Sequence, residues 1–415
     1  MKEISKYIKQ FLTKDFLHKN RKHWESQVPR FSNNTFQLIE NIINQIKEAD
    51  EHWIRRNKTI KERAIDFEKE ELPKGESYDY LIPEIRNILE SRKKVGKQYF
   101  FTIGEQKVSL SIVYPFSQED PVEKVSEKKM DDFLRDCLYR VYIWFYIANK
   151  ERTSQCSQTI KVYIYLSELF KLLPEDGVIF DQKHANTAFT TSCSPYTNIH
   201  IFREEEWFKV LIHESFHCFG FDFSGEGSLC EVSRTRILQL FSVDSEVNLF
   251  ETYCEIWGEF LNVCFYECLA HKGANNSFII DKIRKSILYE KIFSSFQCVK
   301  VLDFLKMKYH QLYSDTEPIQ KSNYKENTNI LSYYILKSIY MVFIDDFFEW
   351  IVAKNGGSFH FLKTPENIHE YMKIIEDKYN DPLFIKNIDI METWFYKQKN
   401  NHHLENQTLR MTVLE

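Results

Sequence analysis

Residues 210–220 read Val-Leu-Ile-His-Glu-Ser-Phe-His-Cys-Phe-Gly, so His213, Glu214 and His217 stand in the order H-E-x-x-H. On a helix, residues four apart lie about 40° apart in projection, so both imidazoles leave one face and one metal ion can accept both. Glu214, about 100° on from His213, stands beside that pair, where its carboxylate can take a proton from water without ligating the metal. The chemistry this suits is hydrolysis with zinc as the Lewis acid. With 13 His in 415 residues, the pattern arises by chance in about three chains in a hundred of this composition, so the neighbouring residues must decide.

Those neighbours suit a helix. Trp207, Phe208, Leu211, Ile212, Cys218 and Phe219 gather on the side away from the imidazoles. Glu204, Glu205 and Glu206 fall in the expected first turn, where the helix dipole favours negative charge, and Gly220 is placed to stop the helix. The competing reading is an ordinary amphipathic helix with its histidines on the surface.

A catalytic zinc takes three protein ligands and leaves the fourth position to water. Gly220 falls where the metzincin pattern H-E-x-x-H-x-x-G-x-x-H has its glycine, but that family's third ligand would stand at Phe223, so the pattern fails there. Glu226 and Glu231 follow in a stretch with Gly220, Gly225 and Gly227 that reads as a tight loop, and they stay open as donors. A stronger source is residues 244–269, which read as one long helix. Asn248, Glu251, Glu255, Gly258, Glu259 and Asn262 share one narrow face of it, and apolar residues fill the rest. No Lys or Arg occurs from position 237 to 271. Burying an unpaired charge costs on the order of several kcal/mol or forces it to neutralise, so this acidic stripe calls for a cation, which zinc would supply. Glu251 and Glu255 stand one turn apart, so one can ligate while the other accepts the free ring N–H of a ligating histidine. Spacing alone leaves open which does which.

Together, H-E-x-x-H and Glu251-x-x-x-Glu255 resemble the gluzincin metallopeptidases, the lethal-factor type in particular, in which the first glutamate of E-x-x-x-E binds zinc and the second supports a ligand. That resemblance implies His213, His217 and Glu251 as zinc ligands, Glu255 behind them, and Glu214 as the general base of a zinc peptidase acting on peptide or protein substrates. A Tyr donor to the oxyanion is expected as well, and Tyr333 and Tyr334, after the polar patch at 326–329, are candidates. The run 208–217 also resembles predicted metallopeptidases encoded by giant DNA viruses, which implies a virion or host-cytoplasm setting. A different class stays open: a catalytically inactive zincin fold with a structural zinc, serving as a structural or virion-associated protein.

The elements that must position these groups read as α+β, predominantly helical, with a zincin-like core and a small mixed sheet. Residues 129–150 carry apolar side chains at helical spacing, 98–115 alternate as a hairpin about positions 104–106, and 161–166 and 198–202 read as strands. Residues 186–191 and 198–202 form the expected edge on which an extended peptide can pair. These elements divide the chain into a helical region at 1–95, a catalytic core at 96–271 and a helical region at 272–415. Within the flanks, helices are expected at 4–16, 35–53, 278–309, 330–353 and 368–379, a solvated charged helix at 55–71, and a polar tail after Lys397.

Net charge is −5 with both signs interspersed, which argues against a protein built on phosphate neutralisation, so no nucleic-acid partner is expected. No run reaches the 18 or so apolar residues of a membrane span, and Met1-Lys-Glu-Ile-Ser-Lys-Tyr7 is charged from the start, so a cytoplasmic setting is expected. Nine Cys without C-x-x-C spacing fit reduced, mostly buried thiols better than a disulfide framework.

Overall fold

A computed structural model describes residues 3–68, 78–116, 127–241, 243–313, 324–399 and 404–415. The fold is α+β and predominantly helical, with one mixed six-stranded sheet. Two compact units are each assembled from separated stretches: Asn44–Phe170 with Asn186–Phe221, and Met1–Ile43 with Lys171–Ala185 and Asp222–Glu415. This is a different partition from 1–95, 96–271 and 272–415. Periodicity marks where elements are, whereas the chain's repeated return to the same core is visible only in the fold.

The first unit holds the sheet. Its strands are β1 (Lys61–Ala64), β2 (Lys94–Ile103), β3 (Gln106–Pro115), β4 (Thr159–Tyr165), β5 (Ala188–Thr190) and β6 (Tyr196–Ile201), in the order β1-β2-β3-β4-β6-β5. β2 and β3 form the expected hairpin, turning at Gly104, whose φ of 56° suits glycine. β3, β4 and β6 are parallel neighbours, and β5 runs antiparallel to β6 at one edge. Alternation sorts the side chains: Tyr99, Ile103, Val108, Leu110, Ile160, Val162, Ile199 and Ile201 are buried, while Phe100, Thr102, Lys107 and Lys161 between them are exposed. Against the buried face pack the Glu127–Glu151 helix and the Trp207–Phe219 helix that carries H-E-x-x-H. Part of the other face is covered where Leu81, Ile85 and Leu89 meet Val113 and Tyr165.

Two expectations in this unit need correction. The charged stretch at 55–71 does not continue as a solvated helix; Lys61–Ala64 is the edge strand β1, all four residues exposed, and positions 69–71 lie outside the described residues. Its strand character comes from pairing with β2, not from any apolar alternation of its own. Cysteine chemistry also differs: Cys156 and Cys193 form a disulfide across 37 positions, while the other seven cysteines are not disulfide-bonded. The fold brings their Cα atoms to 4.8 Å, a proximity that no local spacing announces.

The second unit is helical. Leu249–Ala270 packs against Asn276–Phe304, which packs in turn against Pro382–Gln398, and the segment expected at 330–353 is split into Leu331–Leu336, with π-type hydrogen bonding, Lys337–Val342 and Ile344–Ala353. The expected polar tail is instead core. Thr408, Leu409, Arg410, Thr412, Val413 and Leu414 are fully buried, residues 400–403 lying outside the described residues. This extended segment is held through its backbone: Tyr334 Oη donates to the Leu409 carbonyl at 2.5 Å, Lys337 Nζ to Met411 at 2.8 Å and Asn262 Nδ2 to Leu414 at 2.9 Å. The Glu290 carboxylate accepts from the Val413 and Leu414 amides. A segment without its own secondary structure survives burial because side chains satisfy its backbone groups. No helix among the described residues is long and apolar enough to cross a membrane.

Candidate metal centre

The motif helix, Trp207–Phe219, is buried along its whole length, His213, Glu214 and His217 included. That removes the reading of an amphipathic helix with surface histidines. It also corrects the expected two-sided pattern, because apolar neighbours press on every side. Trp144 stacks over Phe216 with centroids 6.3 Å apart, Phe145 meets Phe219 edge-on, and Trp144 Nε1 donates to Ser215 Oγ at 2.7 Å. Ser215 Oγ in turn donates to the Ile212 carbonyl, so the one small polar residue on the apolar side is spent inside the core.

Both ends of this helix are set by backbone geometry. Glu204, Glu205 and Glu206 precede the first turn instead of forming it, and Glu206 is the cap in a left-handed conformation with φ of 59°. Gly220 ends the helix as expected, its amide donating to the His217 carbonyl at 3.2 Å while Phe221 donates to Phe216 at 2.9 Å. Its φ is 76°, and a Cβ there would stand 2.9 Å from Cys156 Sγ, so glycine is required both for conformation and for space. Ser157 Oγ donates to the Cys218 carbonyl at 2.7 Å, tying the last turn to the loop that carries the disulfide.

Within this fixed helix, His213 Nε2 and His217 Nε2 face each other at 3.3 Å. Two imidazole nitrogens bound to one tetrahedral zinc at about 2.0–2.1 Å are separated by about 3.3–3.4 Å, so the pair already has the spacing of two ligands. The donor set therefore fits the metal. His200 is stacked between Tyr163 and Phe189 with ring centroids 4.6 and 4.7 Å away; burial pushes its pKa down to about 4.

In the helical unit, the acidic helix begins at Leu249, not near 244, with Asn248 as an extended cap and Asp244 bridged to Lys325. Glu251 therefore falls in its first turn, where the helix dipole favours a carboxylate. Tyr333 Oη donates to Glu251 Oε2 at 3.1 Å. Lower on the same face the expectation of an acidic stripe without a cation fails: Lys337 Nζ lies 2.5 Å from Glu259 Oε2, both side chains fully enclosed. Burial opposes the charge on Lys337, but Glu259, Glu255 and Glu290 outweigh it and hold the amine above its ordinary pKa. The cation comes from a segment some eighty residues away, which is why the local sequence did not reveal it.

Tyr333 and Tyr334 are adjacent yet diverge. Tyr333 reaches Glu251, whereas Tyr334 is committed to the Leu409 carbonyl in the core. Phe223, at the metzincin ligand position, packs on Phe361, and Asp222 accepts from the Ser224 amide and hydroxyl and from Cys254 Sγ. Glu226 and Glu231 are exposed, the former capping an unforeseen helix at Gly227–Leu240. Sequence reasoning missed Lys337, whose only signal was its place one turn after Tyr333 on a helix that is apolar all round. Compared with family models, curated proteins and solved structures, the chain matches none.

Proposed function

We propose that the protein is a zinc-dependent metallopeptidase of gluzincin type with a zincin-like core, in which His213, His217 and Glu251 hold the metal and Glu214 is the general base. The observation that carries this reading is the 3.3 Å approach of the two Nε2 atoms on a helix whose every side is packed and whose two ends are fixed. Two histidines and a glutamate are the ligand types of a catalytic zinc with an open fourth position.

When bound, zinc polarises the substrate carbonyl and acidifies water. The remaining steps fall to the chain. Glu214 takes the proton of the attacking water and passes it to the departing amine. Glu255 accepts the free N–H of a ligating imidazole, and its charge is one of those that hold the Lys337 amine above its ordinary pKa. Of the two tyrosines, Tyr334 gives its hydroxyl to the Leu409 carbonyl in the core, which leaves Tyr333 as the candidate oxyanion donor once Glu251, the acceptor of its hydroxyl, is taken up by the metal. An extended peptide or protein substrate would pair along β5, which ends the sheet and has a neighbour on one side only. The setting that goes with the viral resemblance is the host cytoplasm or a virion.

Turnover of a quenched-fluorescent peptide library by wild type and Glu214→Gln, both assayed for zinc, tests the assignment. The expected result is equal zinc and a loss of rate of at least about a hundredfold in the variant. Equal zinc with no turnover by either protein would favour a structural metal in an inactive zincin fold.

A further inference from the structure

The sheet presents a second, unrelated surface. Cross-strand register places Lys61, Phe100, Ser109, Lys161 and Asn198 in one line across β1, β2, β3, β4 and β6. The adjacent line on the same face runs Thr102, Lys107, Thr159, Tyr196. Phe100 and Tyr196 are among the exposed large hydrophobic residues, Tyr196 at 78%. Lys61, Lys107 and Lys161 are exposed as well. Strands lie about 4.8 Å apart, so the three lysines and two rings, spread from β1 to β6, cover a strip about 19 Å wide.

This strip opens into a cleft of about 700 Å³ lined by Arg56, Lys61, Lys107 and Lys161, with Phe100 and Tyr142 among its walls. Among the described residues, no Asp or Glu lines it. None of the four cations takes part in an ion pair among the described residues. Glu62, between Lys61 and Arg63, points to the other face and meets Lys97. The positive field is felt by His52 at the rim, whose pKa is lowered by burial and then by Arg55 and Arg56. A chain of net charge −5 has thus gathered cations and exposed rings on one face without a carboxylate.

We propose that this face binds single-stranded nucleic acid, the lysines and Arg56 tracking phosphates while Phe100 and Tyr196 stack bases. Cations alone would serve any polyanion. The two exposed rings, standing on the same face as the lysines, are what an acidic peptide or a free phosphate would leave unused and what unpaired bases require. The expectation from overall charge that nucleic acid is no partner is an average over the surface, and this strip departs from it. The proposed zinc chemistry plays no part in the inference.

The test is fluorescence anisotropy of the full chain with labelled oligo-dT and oligo-U of about 12 nucleotides, at low and moderate salt. The expected result is binding with a log–log salt slope of about −3, as four phosphate contacts produce. Lys61→Glu, Lys107→Glu and Lys161→Glu combined should weaken binding at least tenfold, and the combined Lys→Gln form should do so to a lesser degree. Phe100→Ala with Tyr196→Ala should weaken it at least about fivefold with the salt slope unchanged. All these positions are exposed, and circular dichroism verifies the fold of each variant. Failure of wild type to bind at low salt, binding indifferent to the ring variant, or equal displacement by polyglutamate would overturn the proposal.

Discussion

Glu259 and Glu251 stand about two turns apart on one face of the same helix, and the protein treats them differently. Glu259 is fully enclosed and meets a charged amine, Lys337, at 2.5 Å. Glu251 is half-buried, lies in the first turn and receives a neutral phenol from Tyr333 at 3.1 Å. A carboxylate answered by a buried lysine is structural: its charge is cancelled where it sits, and an extra cation there would be repelled. A phenol donates a hydrogen bond without bringing a cation. The difference divides the acidic stripe into a part whose charge is answered inside the core and a part that is proposed to bind metal.

The comparison breaks most visibly at Lys337. Replacing it by Met leaves Glu259 buried without its cation, and chemical denaturation should show a loss of about 3–5 kcal/mol. The double variant Lys337→Met with Glu259→Leu should recover most of that; no recovery would mean that the pair is not a unit and that Glu259 answers to another partner.

Glu326 tests the scaffold behind Glu251. It accepts from Tyr324 Oη and the Leu331 amide at the start of the segment that carries Tyr333. Burial raises its pKa from 4.5 to about 7. The folded state therefore binds this proton more tightly than the unfolded chain, so its contribution to stability is full below about pH 4.5 and is lost as pH rises through about 7. The loss is up to about 3 kcal/mol, and Glu326→Gln should flatten that part of the stability profile. An unchanged profile in the variant would show that the carboxyl titrates normally.

The smallest effect is expected at Tyr333. Removing its hydroxyl in Tyr333→Phe costs one hydrogen bond to a carboxylate, about 1–3 kcal/mol if the bond is fully formed, read by denaturation. Beyond stability, zinc affinity should change while Glu259→Gln, two turns away, leaves it alone; matching shifts in both variants would erase the distinction between the two carboxylates.

The elements with strong local periodicity were legible in the sequence. The hairpin, the Glu127–Glu151 helix and β4 and β6 appear within a few residues of where alternation or helical spacing put them, and Gly220 ends the motif helix where expected. The facing of His213 and His217 was legible because spacing along one helix is a local property. What escaped was made by distant partners. β1 is a strand only because β2 pairs with it, and Cys156 finds Cys193 across 37 positions. Lys337 reaches Glu259 from a separate helix. The segment at 404–415 looked like a tail because its polar residues are conspicuous, whereas Leu409, Met411, Val413 and Leu414 supply the apolar content that buries it. Full burial of the motif helix was equally hidden, since Ser215, His213 and His217 lower its apparent apolarity while Trp144 and Ser157 absorb some of its polar groups.

The central claim is tested most directly by the metal content of the purified protein, measured by mass spectrometry for wild type, His213→Ala with His217→Ala, Glu251→Ala and Glu259→Gln. The account predicts about one zinc per chain in wild type and in Glu259→Gln, and loss of zinc in the other two. Zinc absent from wild type after reconstitution, or retained in full by Glu251→Ala, would contradict it.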